Sequence, residues 1–337
     1  MKKLLACILA AAHLTAVSPA PRDSAASAVL MHADTRQVLY EKNADARMLI
    51  ASTTKIMTAL VVLESCALTE RVGIDARSAG TEGSSMYLRE GEEYSVEELL
   101  YGLMLISGND AAAALALHVS DSIEDFAELM NEKAAELGME NTHYVNPHGL
   151  DAEGHYSTAR DMALLAAYAM ENPDFARIVS TKSVEIRGST LQNHNRLLFT
   201  YPGCIGLKTG YTMAAGRTLV SCAERDGERY IVVTLCDKND WKDHESLYDW
   251  AFESFEWRRV IDSGTAFRLP YVGEEDWLYL SPETDIYSLL PAGAGEVEYR
   301  LELPPFAISP VESGERLGKI IAQIDDITVG ITGLSSS

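Results

Sequence analysis

Arg217-Thr218-Leu219-Val220-Ser221-Cys222-Ala223, then Arg225-Asp226-Gly227-Glu228, then Arg229-Tyr230-Ile231-Val232-Val233-Thr234-Leu235 is the stretch that decides the fold. Two runs rich in β-branched residues flank an Asp-Gly pair, the signature of a hairpin with a tight turn. That turn sets a register with Cys222 opposite Ile231, so Cys222 does not face Cys236. Just upstream, residues 204–211 read as a third strand. Downstream, residues 240–255 read as a closing helix.

Working outward, short apolar runs at 28–32 and 37–40 surround Ala33-Asp34-Thr35-Arg36 and predict a hairpin near the N-terminus. Between this hairpin and the later strands the pattern is helical. Residues 52–63 form one helix. Ser95-Val96-Glu97-Glu98 is a capping box for a second, whose stripe is Val96, Leu99, Leu100, Leu103 and Met104 and which stops at Ser107-Gly108-Asn109. An Ala-rich helix follows over 110–119. Ser122 caps another, with Ile123, Phe126, Leu129, Met130 and Leu137 as its stripe and Gly138 at its end. Residues 158–170 are helical and halt before Pro173. Trp241, Trp250 and Trp257, nine and seven residues apart, fit packing on a helix. The expected fold class is mixed α/β (α+β): a sheet whose first and last strands are neighbours, helices on its faces, a helical lobe, and a cleft between that lobe and the sheet edge. After residue 260 the pattern turns to short strands and turn residues, so 26–260 is expected as the main domain and 261–337 as a small β-rich C-terminal domain.

The chain has 337 residues, about two domains' worth. Asp+Glu number 50 against 28 Lys+Arg, a net charge of −22, which disfavours nucleic-acid partners. Met1-Lys2-Lys3 precedes an apolar run over 4–17, too short to span a bilayer and of the length of a secretory leader. The leader is assigned to residues 1–25, with cleavage between Ala16 and Ala28, and the protein is expected to be exported. Leu4-Leu5-Ala6-Cys7 sits too early for a lipoprotein box. Cys66, Cys204, Cys222 and Cys236 show no zinc spacing and are expected as free, mostly buried thiols. His143, His148 and His155 likewise match no metal spacing and are expected at the surface or in hydrogen bonds.

Three motifs carry the chemistry. Ser52-Thr53-Thr54-Lys55 opens the first helix, Ser107-Gly108-Asn109 marks a helix–helix break, and Lys208-Thr209-Gly210 lies on a strand. Ser52 and Lys55, three apart, share a helix face. A serine hydroxyl becomes a strong nucleophile when a neighbour takes its proton, and a lysine does so when burial or a second cation lowers its pKa. Lys208 is placed as that second cation. Ser107 is assigned to relay a proton between Lys55 and the leaving amine, and Asn109 to hold a substrate amide. Lys208 and Thr209 are assigned to a substrate carboxylate, Gly210 to leaving the strand edge open to an extended peptide, and the Tyr211 N–H to the oxyanion beside Ser52. Singly each motif is weak: a capped helix, a turn, a strand end. In this order, each on its own kind of element and behind an export leader, the set is specific.

The combination resembles the penicillin-recognising serine enzymes, and most closely the D-alanyl-D-alanine carboxypeptidases, the low-molecular-mass penicillin-binding proteins. The likeness rests on Ala51-Ser52-Thr53-Thr54-Lys55-Ile56-Met57-Thr58-Ala59, Ser107-Gly108-Asn109-Asp110-Ala111, Tyr156-Ser157-Thr158-Ala159-Arg160-Asp161-Met162-Ala163 and Gly206-Leu207-Lys208-Thr209-Gly210-Tyr211-Thr212, and spans residues 28–260. It implies a β-lactamase/transpeptidase-like fold, a peptidoglycan stem peptide ending in D-Ala-D-Ala as substrate, an acyl-enzyme on Ser52, no metal or organic cofactor, and covalent inhibition by β-lactams. A DD-endopeptidase and a non-catalytic penicillin or wall-fragment sensor share the motifs and stay open as alternatives. Three departures stand out. Residues 146–155 lack the Glu-x-x-Leu-Asn pattern of class A β-lactamases, Tyr211 replaces a frequent histidine, and Lys238-Asn239-Asp240-Trp241-Lys242 lacks the arginine that assists carboxylate binding in relatives. Many relatives end in an amphipathic anchoring helix. Residues 319–337 read as strand, leaving membrane attachment open. Asn193-His194-Asn195-Arg196 is expected to be structural.

Overall fold

The computed structural model describes residues 17–273 and 277–336. The apolar run of the expected leader, Cys7 included, lies outside the described residues except for Val17. The chain divides into two compact units, one of residues 20–251 and one of residues 252–336 with 17–19.

In the first unit β1 (Ser27–His32) and β2 (Val38–Lys42) form the early hairpin. A single 3-10 turn, Ala51–Thr54, leads into α1 (Lys55–Ser65). There follow β3 (Arg71–Gly73), the short α2 (Ala76–Ala79), β4 (Glu93–Ser95), α3 (Val96–Leu105), α4 (Asn109–Val119), α5 (Ile123–Glu136), α6 (Ala159–Ala169) and α7 (Pro173–Ser180). The hairpin β5 (Ser183–Ile186) and β6 (Ser189–Gln192) and the single-turn α8 (Leu197–Thr200) precede three long strands. These are β7 (Cys204–Thr212), β8 (Gly216–Arg225) and β9 (Glu228–Leu235), and α9 (Asp240–Ser254) closes the run.

The five-stranded sheet has the order β2-β1-β9-β8-β7, so the first hairpin docks on the last strand as expected, and β7 is an edge. The β8–β9 hairpin has the predicted register, Cys222 opposite Ile231, with both Asp226 and Gly227 at positive φ as a I′ turn requires. Both faces of the sheet are covered. Val29, Met31, Val220, Cys222, Ile231 and Val233 join the core that α1, α3, α4 and α6 complete. On the other face Ser221 and Thr234 hydrogen bond to His244 of α9. Double burial explains why β9 reads as a nearly unbroken apolar run, without alternation.

The capping box is formed, with Ser95 Oγ accepting from Glu98 N–H and the Glu98 carboxylate accepting from Ser95 N–H. α6 ends before Pro173 as expected, and Pro173 starts α7: proline suits the first turn, and Asn172 caps it. Three expectations need correction. Trp257 lies on a strand and stacks on Tyr287, so the three tryptophans do not share a helix. Among the described cysteines only Cys222 is buried, Cys66 and Cys204 being half-buried and Cys236 exposed. Asp23, Ser24 and Ala25, inside the expected leader, belong to the folded unit. Ser24 donates to Asp243 and Asp237, each at 2.6 Å, and Lys42 pairs with Asp23.

The second unit is all β. β10 (Phe255–Ile261) pairs with β13 (Ile286–Pro291). β11 (Phe267–Val272), β12 (Trp277–Pro282), β14 (Glu298–Glu302), β15 (Ala307–Ile308), β16 (Arg316–Ile324) and β17 (Ile327–Ser336) form a six-stranded sheet, order β14-β16-β17-β12-β11-β15. It has its own core, including Val260, Leu280, Leu290, Ile320 and Leu334. The division at 251/252 falls earlier than the boundary read at 260/261, because residues 255–261 pair with 286–291 in this unit. No helix among the described residues is long and apolar enough to cross a membrane.

Candidate active site

Ser52 lies on the 3-10 turn before α1, not on the α-helix itself. In a 3-10 turn residues three apart eclipse, which brings Lys55, the first residue of α1, beneath Ser52. Lys55 Nζ lies 3.1 Å from Ser52 Oγ, within hydrogen-bond distance. The same amine donates to Asn109 Oδ1 and to the His148 carbonyl, both at 2.6 Å. Burial pushes the Lys55 pKa well below the usual lysine range, and the charge of Lys208 adds to this. The arrangement suits a neutral amine. Two N–H groups satisfy two carbonyl oxygens, and the lone pair then faces the serine hydroxyl and can take its proton.

The His148 carbonyl is held in place by a loop clamped onto α1. Thr58 Oγ1 donates to the Pro147 carbonyl, and Asn146 Oδ1 accepts from Gly149 N–H. Gly149 sits at φ 86°, and a Cβ there would lie 1.9 Å from the Ala51 carbonyl oxygen, so only glycine allows this approach. His155 Nδ1 accepts from Val145 N–H, so Nε2 carries the proton and donates to Thr54 Oγ1 at 2.8 Å. Burial lowers the His155 pKa to about 4, keeping it neutral. The His148 and His155 rings thus make hydrogen bonds, as expected, within the loop that carries the His148 carbonyl.

Ser107 takes the left-handed conformation, φ 63°, just past α3, a position where helices usually place glycine. It is buried, and its hydroxyl has no hydrogen-bond partner among the described residues. Ala51, before Ser52, is also left-handed at φ 45°. Such non-glycine residues cost on the order of 1–3 kcal/mol and cluster at functional sites. Asn109 starts α4. Besides accepting from Lys55, its Nδ2 donates to the Glu82 carbonyl at 2.6 Å. Its neighbour Asp110 accepts from Met86 and Leu88 N–H and from Ser85 Oγ, holding the segment that carries Ser84.

The edge strand β7 brings the third motif. Lys208 is buried, its Nζ donates to the Thr209 carbonyl at 2.9 Å, and burial lowers its pKa to about 7. A Cβ on Gly210 would stand 2.3 Å from Thr218 Oγ1 and 3.0 Å from the Ser52 nitrogen. The absent side chain lets β7 pass directly beside the Ser52 backbone.

A cleft of about 300 Å³ collects these parts: Ser52, Ser107, Thr209, Gly210 and Tyr211 line it, with Lys55 bonded to Ser52 beside it. The wall also contains residues the sequence reading missed: Ser84, His194, Arg217, Asp240 and Trp241. Arg217 makes two N···O contacts to Asp240, at 3.0 and 2.9 Å, and lies over the Trp241 ring at 5.4 Å. A signal was available. In the β7–β8 hairpin Arg217 is opposite Tyr211, and cross-strand partners share a face. His194, read as structural, has its pKa lowered by burial and by Lys208.

Two other features do not compete. Ser221 and His244 lie 2.6 Å apart, but both are fully buried beneath the sheet. A concavity of about 350 Å³, bordered by Val119, Asp121, Asp125, Glu128 and Glu132, has neither a nucleophile–base pair nor a cation in its lining.

Comparison with known proteins agrees with this geometry. The sequence profile of peptidase family S11, D-alanyl-D-alanine carboxypeptidase, matches residues 14–239. D-alanyl-D-alanine carboxypeptidase DacF of Bacillus subtilis is 33% identical, the match covering 96% of this chain and 91% of that protein. The crystal structure of penicillin binding protein 5 from Haemophilus influenzae superposes with a TM-score of 0.79 at 31% identity, over 95% of this chain and 98% of that one. A serine-to-alanine mutant of the Streptomyces K15 DD-transpeptidase has a TM-score of 0.66 at 35% identity, covering 69% of this chain and 99% of its own. With a profile matching most of its length and a relative 33% identical across nearly all of it, the chain belongs to the D-alanyl-D-alanine carboxypeptidase family, peptidase family S11.

Proposed function

We propose that the protein is a serine-type D-Ala-D-Ala carboxypeptidase that removes the terminal D-alanine of peptidoglycan stem peptides through an acyl-enzyme on Ser52. The observation that carries this reading is the buried Lys55 amine, 3.1 Å from Ser52 Oγ and held by two carbonyl oxygens.

Lys55, neutral, takes the Ser52 proton as Oγ attacks the carbonyl between the two D-alanines. The negative charge that develops on that oxygen is stabilised by the Ser52 and Tyr211 N–H groups. Ser107 passes a proton from the Lys55 ammonium to the leaving nitrogen, and the C–N bond breaks to release D-alanine. Lys55, neutral again, takes a proton from the water that attacks the ester and passes it to Ser52 Oγ as the acyl C–O bond breaks. The terminal carboxylate of the substrate is held by Lys208, Thr209 and Arg217. Arg217 takes the part of the arginine missing from 238–242: its pairing with Asp240 brings a guanidinium to the start of α9 from the neighbouring strand. Asn109 positions Lys55 as well as the substrate amide. β-Lactams acylate the same serine.

The reading includes export, with the leader cut before Asp23, since Asp23 and Ser24 are bonded into the folded unit. The purified protein, incubated with a pentapeptide ending in D-Ala-D-Ala, is expected to release one equivalent of D-alanine, and Ser52→Ala none. A wild-type protein that forms a stable penicillin adduct on Ser52 but releases no D-alanine would identify a sensor instead.

A further inference from the structure

A second cluster of reactive side chains lies at the opposite end of the nucleophile's helix. Cys66 is the C-cap of α1, eleven residues beyond Lys55 and so about 16 Å along the helix axis. We propose that Cys66, Glu70 and His118 form a binding site for a zinc-class divalent metal ion.

One ligand atom from each of the three lies within 4.8 Å of the other two. His118 Nε2 and Glu70 Oε2 are 3.3 Å apart. A tetrahedral ion with a metal–sulfur distance of about 2.3 Å and metal–nitrogen and metal–oxygen distances of about 2.0–2.1 Å needs ligand atoms roughly 3.5 Å from one another. Small side-chain rotations therefore close the set. The donors are also held by their surroundings. Cys66 N–H donates to the Val62 carbonyl and ends the helix. Glu70 Oε1 accepts from Ala67 N–H at 2.6 Å, which turns the other carboxylate oxygen toward His118, the kind of orienting contact that metal ligands use. The turn itself is tied to the start of α3, because Val96 and Glu97 N–H donate to the Glu70 and Leu68 carbonyls. His118 comes from the last turn of α4. None of the three residues has a part in the cleft chemistry.

The donor set decides the class of ion. One thiolate, one imidazole and one carboxylate suit zinc and its neighbours, whereas magnesium and calcium take oxygen ligands. Three protein ligands leave a fourth position for water, and Glu70 is exposed, so the ion has a path in. The carboxylates of Asp121, Asp125, Glu128 and Glu132, which border the concavity beginning at Val119, favour any cation approaching this end of the molecule. On binding, the Cys66 thiol gives its proton to solvent, His118 binds as the neutral ring, and the ion ties together the end of α1, the turn and the end of α4.

The test uses the whole purified chain, reduced and stripped with EDTA, with Co2+ as the probe. The expected result is a near-UV thiolate-to-cobalt band and the visible bands of a tetrahedral ion, saturating at one equivalent and erased by Zn2+. Cys66→Ser should abolish the near-UV band. His118→Ala should weaken binding by roughly 10–100-fold or more. Cys236→Ser, which removes an exposed thiol elsewhere, should leave both bands intact, and near-UV circular dichroism reports folding in each variant. In the wild type, Zn2+ should slow iodoacetamide labelling of Cys66 by about tenfold or more, read by peptide mass. A band that survives Cys66→Ser, no band in excess Co2+, or labelling unaffected by Zn2+ overturns the proposal and leaves an ordinary His118–Glu70 hydrogen bond beside a thiol.

Discussion

Lys55 and Lys208 are two buried amines to which the proposed mechanism gives different tasks, and burial lowers the pKa of both. Lys55 acts as base only when neutral, so acylation should rise with pH through its lowered pKa. Lys208 holds a carboxylate only when charged, so binding should weaken as pH rises past about 7 in the empty site. The pH profile of kcat/KM for the pentapeptide should therefore be bell-shaped. A substrate with its terminal carboxylate amidated should lose the alkaline limb, and a limb that persists would disconnect Lys208 from the carboxylate. The same burial predicts a stability effect. The unfolded chain binds a proton at Lys208 up to about pH 10 and the folded chain only to about 7, so stability should increase with pH across that window. Lys208→Met should reduce this dependence, leaving the part that the buried Lys55 contributes, and raise Tm at pH 7 by roughly 2–4 °C per kcal/mol gained, while activity is lost. Thermal melts from pH 6 to 10 check both. Arg217→Ala should reduce kcat/KM by about 10–100-fold, mainly through KM, the size of one or two hydrogen bonds to a charged group. Arg217→Lys should restore little, because an ammonium cannot reproduce the fork held by Asp240.

At the scale of elements, the loop around Pro147 and His148 acts as a splint for the base. Gly149→Ala places a Cβ against the Ala51 carbonyl in a backbone conformation that alanine resists. The expected outcome is penicillin acylation slowed by about tenfold or more, since small misplacements near reacting atoms carry large penalties, with far-UV circular dichroism unchanged. Acylation at the wild-type rate would mean that the His148 carbonyl does not set the amine. Elements with local signals were readable from the chain. Ser95 and Glu98, Ser122, Thr158 and Asp226-Gly227 carry their own capping or turn chemistry. Elements that depend on distant partners were not. β3 is three residues long and exists because residues 93–95 lie beside it, and β10 is a strand because residues 286–291 pair with it.

At the scale of the molecule, each unit buries its own apolar set. The cleft lining, the Lys55 network and the supporting loop all belong to residues 20–251. A chain of residues 20–254, which keeps α9 whole, should fold and be acylated by penicillin at a rate within about threefold of the full chain. The match of the K15 enzyme to 69% of this chain over nearly all of its own length fits that expectation. Intact-mass time courses on the two chains decide it. A truncated protein that does not fold would show that the C-terminal unit is needed for stability.

What the sequence determined by itself was local and chemical. Ser52 and Lys55, Ser107 and Asn109, and Lys208 to Tyr211 are short motifs, legible because spacing along one turn or strand already places their atoms. The docking of the first hairpin on the last strand was also foreseeable, since edges of a sheet need partners. Only the tertiary structure decided that Asn109 and the His148 carbonyl share the Lys55 amine, that Arg217 enters the cleft through Asp240, and that Cys66, Glu70 and His118 meet. Lys55 stands 54 and 93 positions from its two partners and His118 stands 48 and 52 from Glu70 and Cys66, while Arg217 depends on which neighbouring strand and helix end face the site. No local propensity specifies such a meeting. It follows from how the helices and the sheet pack together.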